Sequence, residues 1–209
     1  MLILSIIMAR PPKITNTEIL AAARQVFLEH GGNASTLLIA QKAGISEAAI
    51  FKRFATKQAL FLAAIGITEI REWVGVLAND TPTAAVKAEL MEICGQMLEF
   101  YQEVMPRVFM MMTQGNSACP PVVPPPPVRD SLLLVGYLDR ALAQGHLRSC
   151  DTTTLAYTIV GAMTNYVVNQ NIAAKLPVGL PLPEVHQLEP ATFIHNLIET
   201  LWVGIAPTA

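Results

Sequence analysis

GISEAAIFKRFATK, residues 44–57, decides the fold. Gly44 supplies a sharp turn, Ser46 offers a hydroxyl to cap a helix, and Thr56 offers another where the next helix begins. On a wheel of about 100° per residue, Ile50 and Phe54 share one side of residues 46–54. Ala48, Ala49 and Lys52 fall opposite, with Phe51 and Arg53 on the flanks. The helix has one side to pack and one thin, cationic side to present. Small side chains let a helix sink close to a surface, and flanking cations suit phosphates on either wall of a groove. Lys57 sits in the first turn of the following helix, where free backbone N–H groups also attract anions.

Working upstream, Ile19, Ala23, Val26 and Phe27 share one face of a helix spanning Asn16 to His30, and Gly31-Gly32 stops it. Ser35 caps a short second helix running to about Ala43. Two short helices across a four-residue, glycine-containing turn form a helix-turn-helix outline. Charge follows the same division. From Arg10 to Lys57 there are seven cations against three anions (Glu18, Glu29 and Glu47), whereas the remainder carries 7 against 13. A basic head on an acidic body suggests a polyanion-binding module attached to something else.

Downstream, Thr56 caps what reads as one long fourth helix beginning KQALFLAAIGITEIREWVGVL. Helical patterns follow over 83–101, 106–114, 128–144, 151–174 and 189–203. No stretch alternates in the manner of a strand, so the chain reads as all-α. CPPVVPPPPV at 119–128 and LPVGLPLPEV at 176–185 interrupt the pattern. Prolines this dense cannot continue a helix and favour stiff connectors, with a PxxP partner site as the competing reading.

Hydrophobic residues make up 52% of the 209 and charged ones 14%. Every apolar run is broken before the ~18–20 predominantly apolar residues a membrane span needs, the uncharged run after Asp151 by Thr152, Thr153, Thr154, Thr158, Thr164, Asn165, Asn169, Gln170 and Asn171, so the surplus goes to an oligomer interface or an internal cavity. MLILSIIM, without a leading cation or a cleavage pattern, reads as an extension before Met8 rather than a secretory leader. Cys94, Cys119 and Cys150 are odd in number and far apart, which argues against a disulfide frame or metal knuckle and fits the cytoplasm. There is no HExxH, GxSxG, Walker or dinucleotide fingerprint, and His30, His146, His186 and His195 are scattered. No enzyme activity, cofactor or metal is expected.

Residues 91–112 hold six methionines with Phe100, Tyr101 and Phe109. Methionine is flexible and polarisable, so this wall either lines an adaptable cavity or simply fills the core. For a cavity, Trp73, Met97, Phe100, Tyr101, Phe109, Met112, Tyr137, Asn165 and Tyr166 are the candidate lining, with Gln96 and Gln114 as further polar groups. So few charges favour a small, largely apolar guest, while a cationic one would want Glu99 or Glu103 nearby. Between Asp151 and Lys175 there is no charge at all, and this helix with FIHNLIETLWVGI suits a four-helix bundle across a two-fold axis.

From about Lys13 to Ile65 the sequence resembles the TetR family of transcriptional regulators. VFLEHGG, then ST followed by IAQKAGIS, AAIFKRF and TKQALFLAAI carry the likeness. The resemblance implies a three-helix DNA-binding domain over residues 10–56, preceded by an extension at 1–9. A larger helical domain over 57–209 would hold a small ligand and the homodimer interface, built from helices near 151–174 and 189–203. By position, Thr36 would contact phosphate and Glu47, Ala48 and Ala49 would face base edges. Phe51 stands where the family usually has a phosphate-touching Tyr. Lys52, Arg53 and Lys57 would be the main charged contacts, and Arg10 and Lys13 an arm reaching the backbone or minor groove. Departures are the missing hydroxyl at Phe51 and the apolar Leu37 and Leu38, which leave direct base readout sparse and shift weight to DNA shape. The expected function is a ligand-responsive repressor released from a palindromic double-stranded operator by an apolar effector. The alternative is a helical carrier of hydrophobic molecules that does not bind DNA.

Overall fold

The computed structural model describes residues 14–31, 34–68, 71–113, 124–173 and 188–207, and within them the chain forms nine helices and no strand. They are α1 (Asn16–His30), α2 (Thr36–Ala43), α3 (Glu47–Phe54), α4 (Lys57–Ile65), α5 (Glu72–Asn79), α6 (Val86–Thr113), α7 (Pro126–Ala143), α8 (Thr152–Ala173) and α9 (Pro190–Ile205). Arg10, Lys13, Gln114, the 176–185 run and the side chains of Met110, Met111 and Met112 lie outside the described residues.

Local chemistry sets the start of each head helix. Thr15 and Glu18 form a reciprocal capping box at α1, and Ser35, Ser46 and Thr56 accept backbone N–H groups at the starts of α2, α3 and α4. Gly44 ends α2 in the left-handed region, at φ 68°, where a Cβ would be strained. α1 packs against α2 and α4, and α3 against α2 and α4. Fully buried Ile19, Ala23, Phe27, Ile39 and Leu60 form the head core. Phe27 meets Phe61 edge-to-face at 5.0 Å.

The body packs α6 against α8 and α9, α7 against α8, and α5 against α7. α1 and α4 both reach α6, so that helix carries the head. Among the described residues no helix is long and apolar enough to cross a membrane.

Three segments depart from the sequence reading. The fourth helix is not long: Gly66, at φ 88°, ends it, and Ile67 N–H closes back on the Leu62 carbonyl with its own side chain buried. Pro106 does not separate two helices but lies inside α6. Burial of Tyr101 and Val104 beside it, with Met105 and Val108 packed on the core, holds the helix through the missing N–H. Finally, Pro126 and Pro127 open α7 instead of extending a connector, since a first-turn proline sacrifices no helical hydrogen bond.

Candidate functional site

α3 is anchored by Ile50, only 1% exposed. Its opposite side leaves Ala48, Phe51 and Lys52 exposed and Ala49 half-buried. Lys52 has no ion-pair partner among the described residues. Other members of the expected contact set are engaged within the head. The Thr36 hydroxyl donates to the Glu47 carboxylate, tying the start of α2 to the start of α3. Arg53 donates to the Ile14 carbonyl at 2.8 Å and to Asn16 Oδ1 at 3.2 Å, fastening the chain that enters α1. Lys57 is half-buried at the start of α4, beside the Thr56 cap. Leu37 and Leu38 are 53% and 43% exposed, so the open surface of the helix-turn-helix is partly apolar.

Head and body meet at the last turn of α4, the helix the sequence reading also takes as the link between them; the arginine contacts that fasten the joint are what sequence reasoning missed. Two adjacent carbonyls there have no intrahelical partner of their own. Arg24 of α1 donates to the Ala64 carbonyl at 2.7 Å, and Arg107 of α6 donates to the Ile65 carbonyl at 3.2 Å. Arg107 also pairs with Glu103 at 3.1 Å, and Glu103 pairs with Arg71 at 2.9 Å. Burial pushes the Glu103 carboxyl up, but the two guanidinium groups outweigh it and hold the carboxyl below its ordinary value. Apart from the i, i+4 pair Arg107–Glu103, these arginines lie more than thirty residues from their partners and leave no local signal in the sequence.

The nine candidate lining residues do not converge on one cavity. Met97, Tyr101, Tyr137 and Tyr166 are core residues. Their hydroxyls are committed: Tyr101 donates to buried Asp130 at 2.9 Å, Tyr137 to Glu89, and Tyr166 to the Leu188 carbonyl at 2.5 Å. Burial is the first cause that raises all three tyrosine pKa values. Phe109 is half-buried late in α6, and Met112 lies outside the described side chains. Asn165 lines an apolar groove of about 440 Å³ between α7 and α8, with Val128, Tyr157, Val160 and Gly161.

Trp73 and Phe100 do meet at a cavity. Together with Arg71, Gln96, Glu99 and Glu103 they line a hollow of about 230 Å³ between α5 and α6. A second hollow of about 110 Å³ shares Glu72, Trp73 and Gln96 and adds Glu89 and Glu92. Trp73 is 2% exposed, yet its Nε1–H has no acceptor among the described residues. An orphaned buried donor costs about 1–3 kcal/mol. Arg71 lies 5.3 Å from the centre of the Phe100 ring.

Of the two described thiols, neither is activated. Burial pushes Cys94 up to about 12, and burial first of all also raises Cys150.

A small helix-turn-helix head with a thin cationic face, seated on an apolar helical body, defines the class of fold: a two-part, all-helical protein with an N-terminal helix-turn-helix. Residues 19–64 match the family model described as bacterial regulatory proteins, tetR family. The chain thus carries the TetR-family N-terminal segment on the fold of that family's regulators. Among solved structures it is similar to a Clostridium perfringens regulator assigned provisionally to fatty acid metabolism, at 19% identity and TM-score 0.61, covering 91% of this chain and 100% of that one. It is also similar to the secondary repressor of the MexAB-OprM multidrug efflux pump of Pseudomonas aeruginosa, at 15% identity and TM-score 0.56, covering 91% and 96%. A gamma-butyrolactone receptor follows at 22% identity and TM-score 0.51, covering 92% and 88%. No match emerges among curated proteins.

Proposed function

We propose that the chain is a cytoplasmic, homodimeric transcriptional repressor whose α3 enters the major groove of a palindromic operator and which a small effector held in the body releases. The observation that carries this reading is α3 itself: Ile50 locks one side into the head while Ala48, Ala49 and Lys52 face outward. Ala48 and Ala49 allow close approach and apolar contact with thymine methyls, Lys52 and Lys57 meet phosphates, and DNA shape supplies much of the specificity. Thr36, Glu47 and Arg53 act first as braces that set the pitch of α3, and Phe51 adds apolar contact at the groove wall.

α8 and α9 supply the two-fold interface, so the heads address half-sites about 34–36 Å apart. The uncharged outer side of α8, with Tyr157, Gly161 and Asn165, packs against its symmetry mate. The Arg24 and Arg107 contacts at the end of α4 give the body a grip on the head, through which effector binding shifts head spacing.

The test is a gel shift with the DNA flanking the coding region, using wild type and the double variant Lys52→Glu, Lys57→Glu. Two lysines on each of two heads make four phosphate contacts, so the log–log salt slope of residual binding becomes shallower by about 3.6. Affinity at moderate salt drops by orders of magnitude. Unchanged binding and slope in the double variant would sink the reading, and a wild-type protein that takes up apolar guests but never retards DNA is a carrier.

A further inference from the structure

We propose that the paired hollows between α5 and α6 bind a small organic cation that carries an oxygen acceptor on an aromatic or alkyl body. The inference rests on reading the body as the effector-binding half and names the chemistry of that effector. It departs from the wholly apolar guest that the composition favours.

The charge distribution is the first argument. The residues lining the two hollows include Glu72, Glu89, Glu92, Glu99 and Glu103 against the single cation Arg71. Five of the chain's 16 Asp+Glu thus surround one small space. Four of them, with Gln96 between, sit on α6 at spacings of three and four residues, which is one helical face. Glu103 is committed to Arg71 and Arg107, and Glu89 to Thr83 and Tyr137, while Glu72, Glu92 and Glu99 have no hydrogen-bond or ion-pair partner among the described residues. An anion is repelled here. A metal ion is disfavoured too, because among the described residues no three carboxylates, cysteines or histidines come together as a metal site.

Two further observations point to an organic guest. The Trp73 Nε1–H is buried without an acceptor among the described residues while its residue lines both hollows, so it calls for an oxygen from a guest. Aromatic walls are present, and the chain already places a cation on each of them: Arg71 lies over Phe100 and pairs with Glu103, and Arg129 lies 5.9 Å from the centre of the Trp73 ring. A guest ammonium repeats that arrangement with Glu72 and Glu99 at the rim. At about 230 and 110 Å³ the hollows sit below the usual ~300–1,000 Å³ of drug-sized sites, so the guest is small.

Titration calorimetry on the full chain without DNA tests this, with benzoylcholine as the cationic ester and 3,3-dimethylbutyl benzoate as its uncharged carbon isostere. The expected result is benzoylcholine binding at least tenfold tighter than the isostere. Glu72→Gln with Glu99→Gln removes that preference while leaving the thermal melt unchanged, and Trp73→Phe weakens benzoylcholine several-fold. If Trp73→Phe fails to fold, the exposed glutamate pair decides. Equal binding of the two esters, no binding of either, or full cation preference in the glutamate variant overturns the proposal. Because DNA is absent, that failure is separate from loss of the operator reading, which the gel shift alone decides.

Discussion

Ala55 is the strained residue of the head. It is the one non-glycine at positive φ among the described residues, at φ 55° and ψ −47°, in a tight turn where Thr56 N–H reaches the Phe54 carbonyl at 2.5 Å. Such backbone costs roughly 1–3 kcal/mol, and glycine gives back about 0.5–1 kcal/mol through its looser unfolded chain. Ala55→Gly is therefore expected to stabilise the protein by about 1 kcal/mol, read as a higher urea midpoint at fixed protein concentration. A lower midpoint would mean the turn is not under strain. Caps at Ser35, Ser46 and Thr56 were legible because hydroxyl and amide lie two or three residues apart. The Thr36–Glu47 and Arg53–Ile14 contacts were not, because their partners are eleven and 39 residues distant.

At the level of elements, local stop signals competed with tertiary packing. Gly66 ended α4 within a run whose periodicity suggested continuation, whereas Pro106 failed to end α6 because the core on both sides of it holds the helix. Of the body's acidic face, Glu99 and Glu103 were legible in the sequence as partners for a cationic guest and Gln96 as a polar lining group, whereas Glu72, Glu89 and Glu92 join them only through the packing of α5 against α6. The joint between α4 and α6 yields a separate expectation. Arg107→Ala strips the carbonyl of buried Ile65 of its donor and partly exposed Glu103 of one partner, so a loss of about 1–2 kcal/mol follows. Denaturant unfolding of the variant checks it, and an unchanged midpoint would remove Arg107 from the joint.

For the molecule as a whole, composition fixed the fold class early: an all-helical pattern, a basic head and more apolar surface than one chain can hide. That surplus surfaces on the outer sides of α7, α8 and α9, where Leu132 is 58%, Tyr157 49% and Val203 84% exposed. Scattered apolar exposure is ordinary, but in the homodimer proposed above Tyr157 of α8 and Val203 of α9 are the side chains the two-fold contact covers. Tyr157→Glu with Val203→Glu is expected to give a monomer in sedimentation equilibrium, with operator affinity falling because the two heads no longer bind as a unit. A variant that stays dimeric would move the two-fold axis elsewhere.

The edge-to-face meeting of Phe27 and Phe61, with Arg24 closing on Ala64, bears on where the gene can be cut. The helix-turn-helix head borrows a wall from beyond residue 56, so a truncation there would strand α1 with a bare aromatic flank. A stand-alone recognition module has to keep the chain through Ile67, whose amide latches the final turn shut.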